Sequence, residues 1–432
     1  MNNYTNLQSN EFLNSVVLSH PGQQHSYQTV VALKKNNLLN KYFTTVYLKK
    51  GSLTKKLIKH LNVNDIEKTK LRKCDILNEG EVIQKFEFFG LLTILFSRIF
   101  KNQKISEKWN NFVVDLFGLK ISKYCIKKNV KALISYDNNS ATAFKNLEGK
   151  NIIRVLDVSA ANRLFVQNIY KKDIELCGDF AKTFGKNQLI KNKKLLKRHS
   201  DEIKYSDYFI VPSNFVKKSI QYHGISENKI KIVPYGVDSF KFNFIKKNVN
   251  HNEKVRFLFV GNVSEIKGIY YLFEAFKQLN NKDILIDVAG GDGNDDIFKP
   301  YKDYVNFLGR IRRDKMPEVY KNADILVFPS LAEGFSLCVL EALSSGLPCI
   351  VTQNSGVSDI ISNGENGFII PIQDIEGIKE KILWFVNNKN KIEDMSIKAR
   401  ELAEKYNWSR YYNQYSNTII QILEENRQNE LE

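Results

Sequence analysis

From residue 253 onward, apolar blocks of two kinds alternate along the chain. Residues 255–261 (VRFLFVG) are a short, mostly apolar run, as expected of a strand buried on both faces. Residues 269–279 instead repeat apolar positions at helical spacing. The same alternation predicts strands at 284–289, 305–308, 324–330 and 348–352 and a short helix at 316–323. It also predicts an apolar helix that starts near Phe335 and Ser336 and stops at Gly346 and Pro348. The first half is similar but less regular, with strands at 15–19, 43–48, 132–136, 152–156 and 208–211 and a helix at 27–36. Short apolar strands separated by helices imply an α/β chain of two doubly wound, Rossmann-like domains facing each other across a cleft. The first spans residues 1–235 and the second 255–405, joined by a Lys/Asn-rich linker at 236–254. Residues 406–423 of the terminal segment 406–432 carry Trp408, Tyr411, Tyr412 and Tyr415 and predict a helix; the last residues read as charged and frayed.

Residues 86–100 are the most apolar stretch and are followed by Lys101 and Lys104. They fall short of the roughly 20 residues a spanning helix needs. Two readings stay open: a buried or cleft-lining helix, or an interfacial helix lying in a bilayer surface.

The formal net charge is +17, and lysine supplies 52 of the 64 basic residues. Nucleic-acid recognition would favour arginine forks and stacked aromatics. Dispersed lysines point away from nucleic acid, toward a Lys/Asn/Ile compositional bias or attraction to an anionic membrane surface or substrate. The five cysteines are scattered without metal or redox spacing, which predicts reduced core thiols. The first residues show no basic region followed by an apolar core, so a cytoplasmic protein is expected.

Glu341 stands inside the apolar run 335–343, and Glu333 precedes that run. A carboxylate there is costly to bury unless something hydrogen-bonds it. A helix start between the two glutamates would offer free N–H groups to an anion. Gly261, Lys267 and Gly268 repeat the strand, turn and helix-start pattern, although the Gly-Lys-Ser/Thr ending of a P-loop is absent. A solvated surface lysine is the simpler reading of Lys267 alone; beside the Glu333–Glu341 segment it becomes a phosphate partner. The turn 290–293 (GGDG) is a weak signal. The segment 20–25 (HPGQQH) follows the first strand, where its histidines are either structural or part of a site. No His-Glu-x-x-His, cysteine cluster, Asp-x-Asp or Gly-x-Ser-x-Gly occurs, so neither a metal centre nor a serine hydrolase is expected.

Residues 328–348 (FPSLAEGFSLCVLEALSSGLP) resemble the signature of the retaining glycosyltransferases of family 4, which have the GT-B fold. The segments 211–213 (VPS), 233–238 (VPYGVD) and 363–368 (NGENGF) agree in order and spacing, so the resemblance covers about residues 200–410. It implies transfer of a hexosyl-type sugar from a nucleotide-diphosphate sugar to a glycan or lipid-linked acceptor in surface polysaccharide biosynthesis, with retention and without metal or cofactor. By the resemblance, Glu341 would hold the ribose hydroxyls, and Glu333 would face the donor sugar and the reacting centre. The N–H groups of Phe335, Ser336 and Leu337 would cradle the phosphates, with Lys267 neutralising the leaving diphosphate. Gly261, Asn262 and Gly334 join the donor set, and Arg310 and Ile311 would lie near the base. The terminal helix would cross back onto the first domain. Two departures stand out. Asn262 occupies the place of a customary arginine, and Asp157 follows a mid-domain strand where a histidine is common. Asp157 and His25 are therefore the further catalytic candidates, and Gln23 and His25 the acceptor contacts. Peripheral contact with the anionic inner face of the membrane is expected. The alternatives are an epimerase or phosphorylase on the same fold, or a catalytically weak nucleotide-sugar-binding subunit.

Overall fold

The computed structural model describes residues 11–23, 25–60, 63–99, 103–184, 193–247, 250 and 253–431. The start of the chain (1–10), four linker positions (248, 249, 251, 252) and Phe100 with Lys101, all used in the sequence reading, lie outside the described residues.

Two parallel sheets carry the fold. The first contains β1 (Val16–Ser19), β2 (Leu39–Thr44), β3 (Val82–Gln84), β4 (Ala132–Tyr136), β5 (Ile153–Asp157), β6 (Tyr208–Val211) and β7 (Ile230–Ile232), in the order β3-β2-β1-β4-β5-β6-β7. The second contains β8 (Val255–Val260), β9 (Ile284–Ala289), β10 (Asn306–Gly309), β11 (Ile325–Phe328), β12 (Cys349–Thr352) and β13 (Gly367–Ile370), in the order β10-β9-β8-β11-β12-β13. Strands such as β1 and β11 are buried along their whole length, which is why they read as unbroken apolar runs. Strand order reverses between β1 and β4 and again between β8 and β11. Crevices at the carboxyl ends of strands form at such points. This is a GT-B architecture of two Rossmann-like domains.

One expected strand is displaced. The apolar pattern at 43–48 predicts β2, yet β2 ends at Thr44. Val46 and Tyr47 are buried in the bend that follows, where Tyr47 donates a hydrogen bond to the Cys74 carbonyl at 3.1 Å. Apolarity there marks burial in a loop rather than a strand.

The terminal helix is longer than predicted, running Trp408–Leu431. It packs on the first-domain helix Ser26–Lys35, with Thr29 and Tyr411 hydroxyls 3.2 Å apart and the Tyr412 hydroxyl donating to Gln28 at 2.5 Å. Its approach runs beside the segment 233–238, and Val237 N–H donates to the Tyr406 carbonyl at 2.9 Å. Gly236 permits that contact, because a Cβ there would lie 2.6 Å from the Asn407 backbone. Farther along, Lys247 is buried and donates to the carbonyls of Tyr320 and Lys321 at 3.2 and 2.7 Å. Burial pulls its pKa down to about 8.

Two helices lie between β3 and β4, Glu87–Ile99 and Gln103–Lys128. Among the described residues, no helix is long and apolar enough to cross a membrane.

Candidate functional site

At the carboxyl ends of β8 and β11, a cavity of about 580 Å³ opens. Gly261 and Asn262 enter it from the end of β8, Arg310 and Ile311 from the end of β10, and Glu333, Phe335, Ser336 and Leu337 from the loop after β11. Lys267 completes the set from a short 3-10 turn. Gly268, with φ of 69°, ends that turn; a Cβ there would lie 2.0 Å from the Pro329 carbonyl oxygen. The glycine thus lets the turn press against the end of β11. There the Lys267 ammonium pairs with the Glu333 carboxylate and stands 5.4 Å above the Phe328 ring. Each charge compensates the other.

The apolar helix spans Leu337–Ser344, and Ser336 is its N-cap. The Ser336 hydroxyl donates to the Ser355 carbonyl at 3.2 Å instead of capping the helix. Val339 N–H donates to the Ser336 carbonyl at 3.1 Å, whereas the N–H groups of Leu337 and Cys338 precede any intrahelical acceptor, so this helix start faces the cavity as an anion-binding end.

Two expected donor residues stand outside the lining. Glu341 accepts a hydrogen bond from the Tyr320 hydroxyl at 3.1 Å. Burial raises its pKa, while Tyr320 and the charges of Arg313 and Lys241 oppose the rise. Tyr320 belongs to the short helix Met316–Lys321, whose Met316 lines the cavity, so Glu341 flanks the site. Gly334 lies against the first domain, where a Cβ would come within 1.8 Å of the Ser159 carbonyl oxygen. Its carbonyl accepts a hydrogen bond from the Ser213 hydroxyl at 2.7 Å, which gives the 211–213 segment its place.

On the first domain, His25 follows β1 and Asp157 ends β5. His25 Nε2 lies 3.2 Å from Asp157 Oδ1. The Tyr415 hydroxyl donates to Asp157 Oδ2 at 2.9 Å, and the Tyr235 hydroxyl lies 3.4 Å from His25 Nε2. Tyr235 in turn packs edge-on to Phe335 of the cavity, with ring centroids 6.0 Å apart. Nothing in the sequence links His25 to Asp157 or places Tyr235, of the 233–238 segment, and Tyr415, of the terminal helix, beside them. Gln23 is engaged elsewhere and donates to the Leu71 carbonyl at 2.8 Å.

A third group had no sequence signal. Asp173, Cys177 and Glu265 are all buried, and one ligand-type atom of each lies within 4.8 Å of the others. Asp173 Oδ1 accepts from the Tyr271 hydroxyl at 2.6 Å and the Gln373 amide at 2.8 Å; Glu265 Oε2 accepts from the Tyr270 N–H at 2.9 Å. Asp173 Oδ2 and Glu265 Oε1 have no partner outside this group. Burial raises the pKa of both acids, as expected of a carboxyl pair that keeps a proton.

Residues 240–402 match the family described as glycosyl transferases group 1. This region belongs to that family. Among curated relatives, the sulfoquinovosyl transferase SQD2 of Arabidopsis thaliana is 29% identical over 216 residues, 47% of this chain and 42% of that protein. A UDP-Gal:alpha-D-GlcNAc-diphosphoundecaprenol alpha-1,3-galactosyltransferase of Escherichia coli is 32% identical over 178 residues, 37% of this chain and 46% of that protein. The chain thus spans under half the length of these two relatives. Among solved structures, the sucrose-phosphate synthase of Thermosynechococcus elongatus aligns with a TM-score of 0.65 and 16% identity, covering 94% of this chain and 98% of that one. That likeness concerns the fold. The group 1 region holds the whole cavity lining, whereas His25 and Asp157 lie outside it.

Proposed function

We propose that this chain is a retaining glycosyltransferase that moves a hexosyl-type sugar from a nucleotide-diphosphate sugar to a glycan or lipid-linked acceptor. The reading rests on one observation: an open helix start and the Lys267–Glu333 pair share one cavity at the strand-order reversal of the second sheet. A diphosphate would take the first-turn N–H groups near Ser336 and the Lys267 ammonium, where fixed positive charge favours its departure. The bond between the anomeric carbon and the diphosphate oxygen would break, the acceptor hydroxyl would bond to that carbon, and its proton would pass to the departing diphosphate oxygen. Glu333 would face the sugar, and Glu341, steadied by Tyr320, would meet the ribose hydroxyls. His25, held by Asp157 and Tyr235, would meet the acceptor from the other wall. Lys267 and Arg310 supply the charge that a metal supplies elsewhere, so the reaction proposed is metal-independent.

The name of the Escherichia coli relative gives a lipid-linked acceptor, which supports a role in surface polysaccharide synthesis at the cytoplasmic face of a membrane. Thermal shift with a panel of nucleotide-diphosphate sugars tests the donor, because a ligand of the folded state raises the Tm. Product analysis with and without acceptor then tests transfer. Lack of any stabilising donor, or conversion without an acceptor, would overturn the proposal.

A further inference from the structure

The helix Gln103–Lys128 is apolar on two opposite faces. Phe117, Ile121 and Cys125 point into the core beneath the first sheet and are buried. On the outer side, Ile105, Phe112, Leu119 and Ile126 recur at every seventh position and are 48%, 49%, 39% and 45% exposed. Seven residues is close to two helical turns, so these four side chains form one stripe along the outer surface. Phe88 and Leu95, on the neighbouring helix Glu87–Ile99, add 58% and 45% exposed apolar side chains. Lys108, Asp115 and Lys123 stand between the four stripe residues on the same face, and half-exposed apolar side chains gathered in this way mark an interaction surface.

We infer that this stripe is the face by which the protein lies on an anionic lipid surface. The charge pattern selects that occupant. Among the described side chains of the helix, the other exposed residues are five lysines (108, 120, 123, 127 and 128) and one asparagine. Asp115 lies between Phe112 and Leu119 on the same face with its side chain 45% exposed, and its charge is taken up by Thr142 and by Arg198 at 3.0 Å. Glu107 is half-buried. An apolar row flanked by lysines matches a bilayer interface, where the apolar side chains enter the acyl boundary and the ammonium groups meet anionic headgroups. A second copy of the chain would instead bring two rows of lysines together.

This surface deepens the membrane-side reading proposed above and rests on it for its biological sense. The test uses the full chain with vesicles of phosphatidylcholine, alone or with phosphatidylglycerol. The wild type is expected to co-sediment with the anionic vesicles and to leave them as salt is raised. Phe112→Glu/Leu119→Glu should lower partitioning more than tenfold, and Lys120→Gln/Lys123→Gln/Lys127→Gln should lower it about fivefold per lysine removed. Donor binding by both variants, read by thermal shift, should equal the wild type and so exclude misfolding. No binding to anionic vesicles, equal binding to neutral ones, or undiminished binding of the Phe112/Leu119 variant would each overturn the inference. So would a solution dimer that Phe112→Glu dissociates. None of these outcomes bears on the donor site. Failure of every nucleotide-diphosphate sugar to bind would overturn the glycosyltransferase reading and leave this surface standing.

Discussion

Asp173 and Glu265 meet across the join between the two domains, and one oxygen of each carboxyl group has no partner outside the Asp173–Cys177–Glu265 group. Asp173 comes from the first-domain helix Arg163–Leu176, and Glu265 from the 3-10 turn that carries Lys267. Beside them the Glu265 N–H donates to the Thr183 hydroxyl at 2.8 Å, a second link between the domains. The pair therefore connects domain contact to the turn that positions the cavity's lysine.

Because folding raises both carboxyl pKa values, stability should depend on pH in a defined sense. Below the ordinary carboxyl range, folded and unfolded chains both hold the protons, and the contribution is complete. As pH rises through the folded values, the native pair must give up protons that the unfolded chain has already lost, and stability falls. The Tm should fall as pH rises above the ordinary carboxyl range. Glu265→Gln should flatten that drop, since an amide can accept from Tyr270 and donate to Asp173. Calorimetry of both proteins across pH reads the difference, and an unchanged slope in the variant would contradict the shared proton.

Lys267→Ala should leave the fold intact and lower kcat by about 10²–10³-fold, the size of effect seen when a transition-state donor is removed. Glu333 would then lose its counter-charge and repel the diphosphate. Titration calorimetry with the donor nucleotide, together with initial rates, measures both consequences.

Arg310 is the other cation that lines the cavity. With Lys267 paired to Glu333, Arg310 provides the uncompensated side-chain charge there. Arg310→Ala should weaken nucleoside-diphosphate binding about tenfold or more, the scale of a lost charge-assisted hydrogen bond. Asn262→Arg placed in that background should recover part of it, because both positions line the same cavity. Equal binding by wild type and Arg310→Ala would show that Arg310 serves only as a solvated surface group.

Asp157→Asn should separate the two walls of the cleft. The variant keeps an acceptor for the Tyr415 hydroxyl but removes the carboxylate beside His25. Donor binding should be unchanged, while transfer to the acceptor falls about 10²-fold, within the usual range for a general acid–base group. Gly334→Ala would act through the backbone instead. Its Cβ would displace the Ser159 carbonyl, so the domains should separate slightly, with a loss of about 1–3 kcal/mol in unfolding free energy.

Much of the fold was legible in local pattern. The helix Ile269–Leu279 and the strands Ile284–Ala289, Ala132–Tyr136 and Tyr208–Val211 have the predicted limits, because burial on one face or two leaves a period in the sequence. The gathering of Lys267, Glu333 and Ser336 was also foreseeable, since each follows a strand of one parallel sheet and such ends converge. Burial in an irregular segment leaves no period, which is why Val46 and Tyr47 extended β2 in the sequence reading. The outer stripe of Gln103–Lys128 was hidden for a related reason: apolar residues on two opposite faces cancel the one-sided periodicity that marks an amphipathic helix.

Sequence alone determined that Glu341 needed a hydrogen-bond partner, because the cost of burying a carboxylate depends only on its apolar neighbourhood. Tertiary structure decided that the partner is Tyr320, and that Glu341 flanks the cavity instead of lining it. It likewise brought Asp157 to His25 and Tyr415, positions 132 and 258 residues away along the chain. Periodicity records what a residue does within its own element, whereas contacts between distant elements arise only when two sheets and a returning helix are packed together.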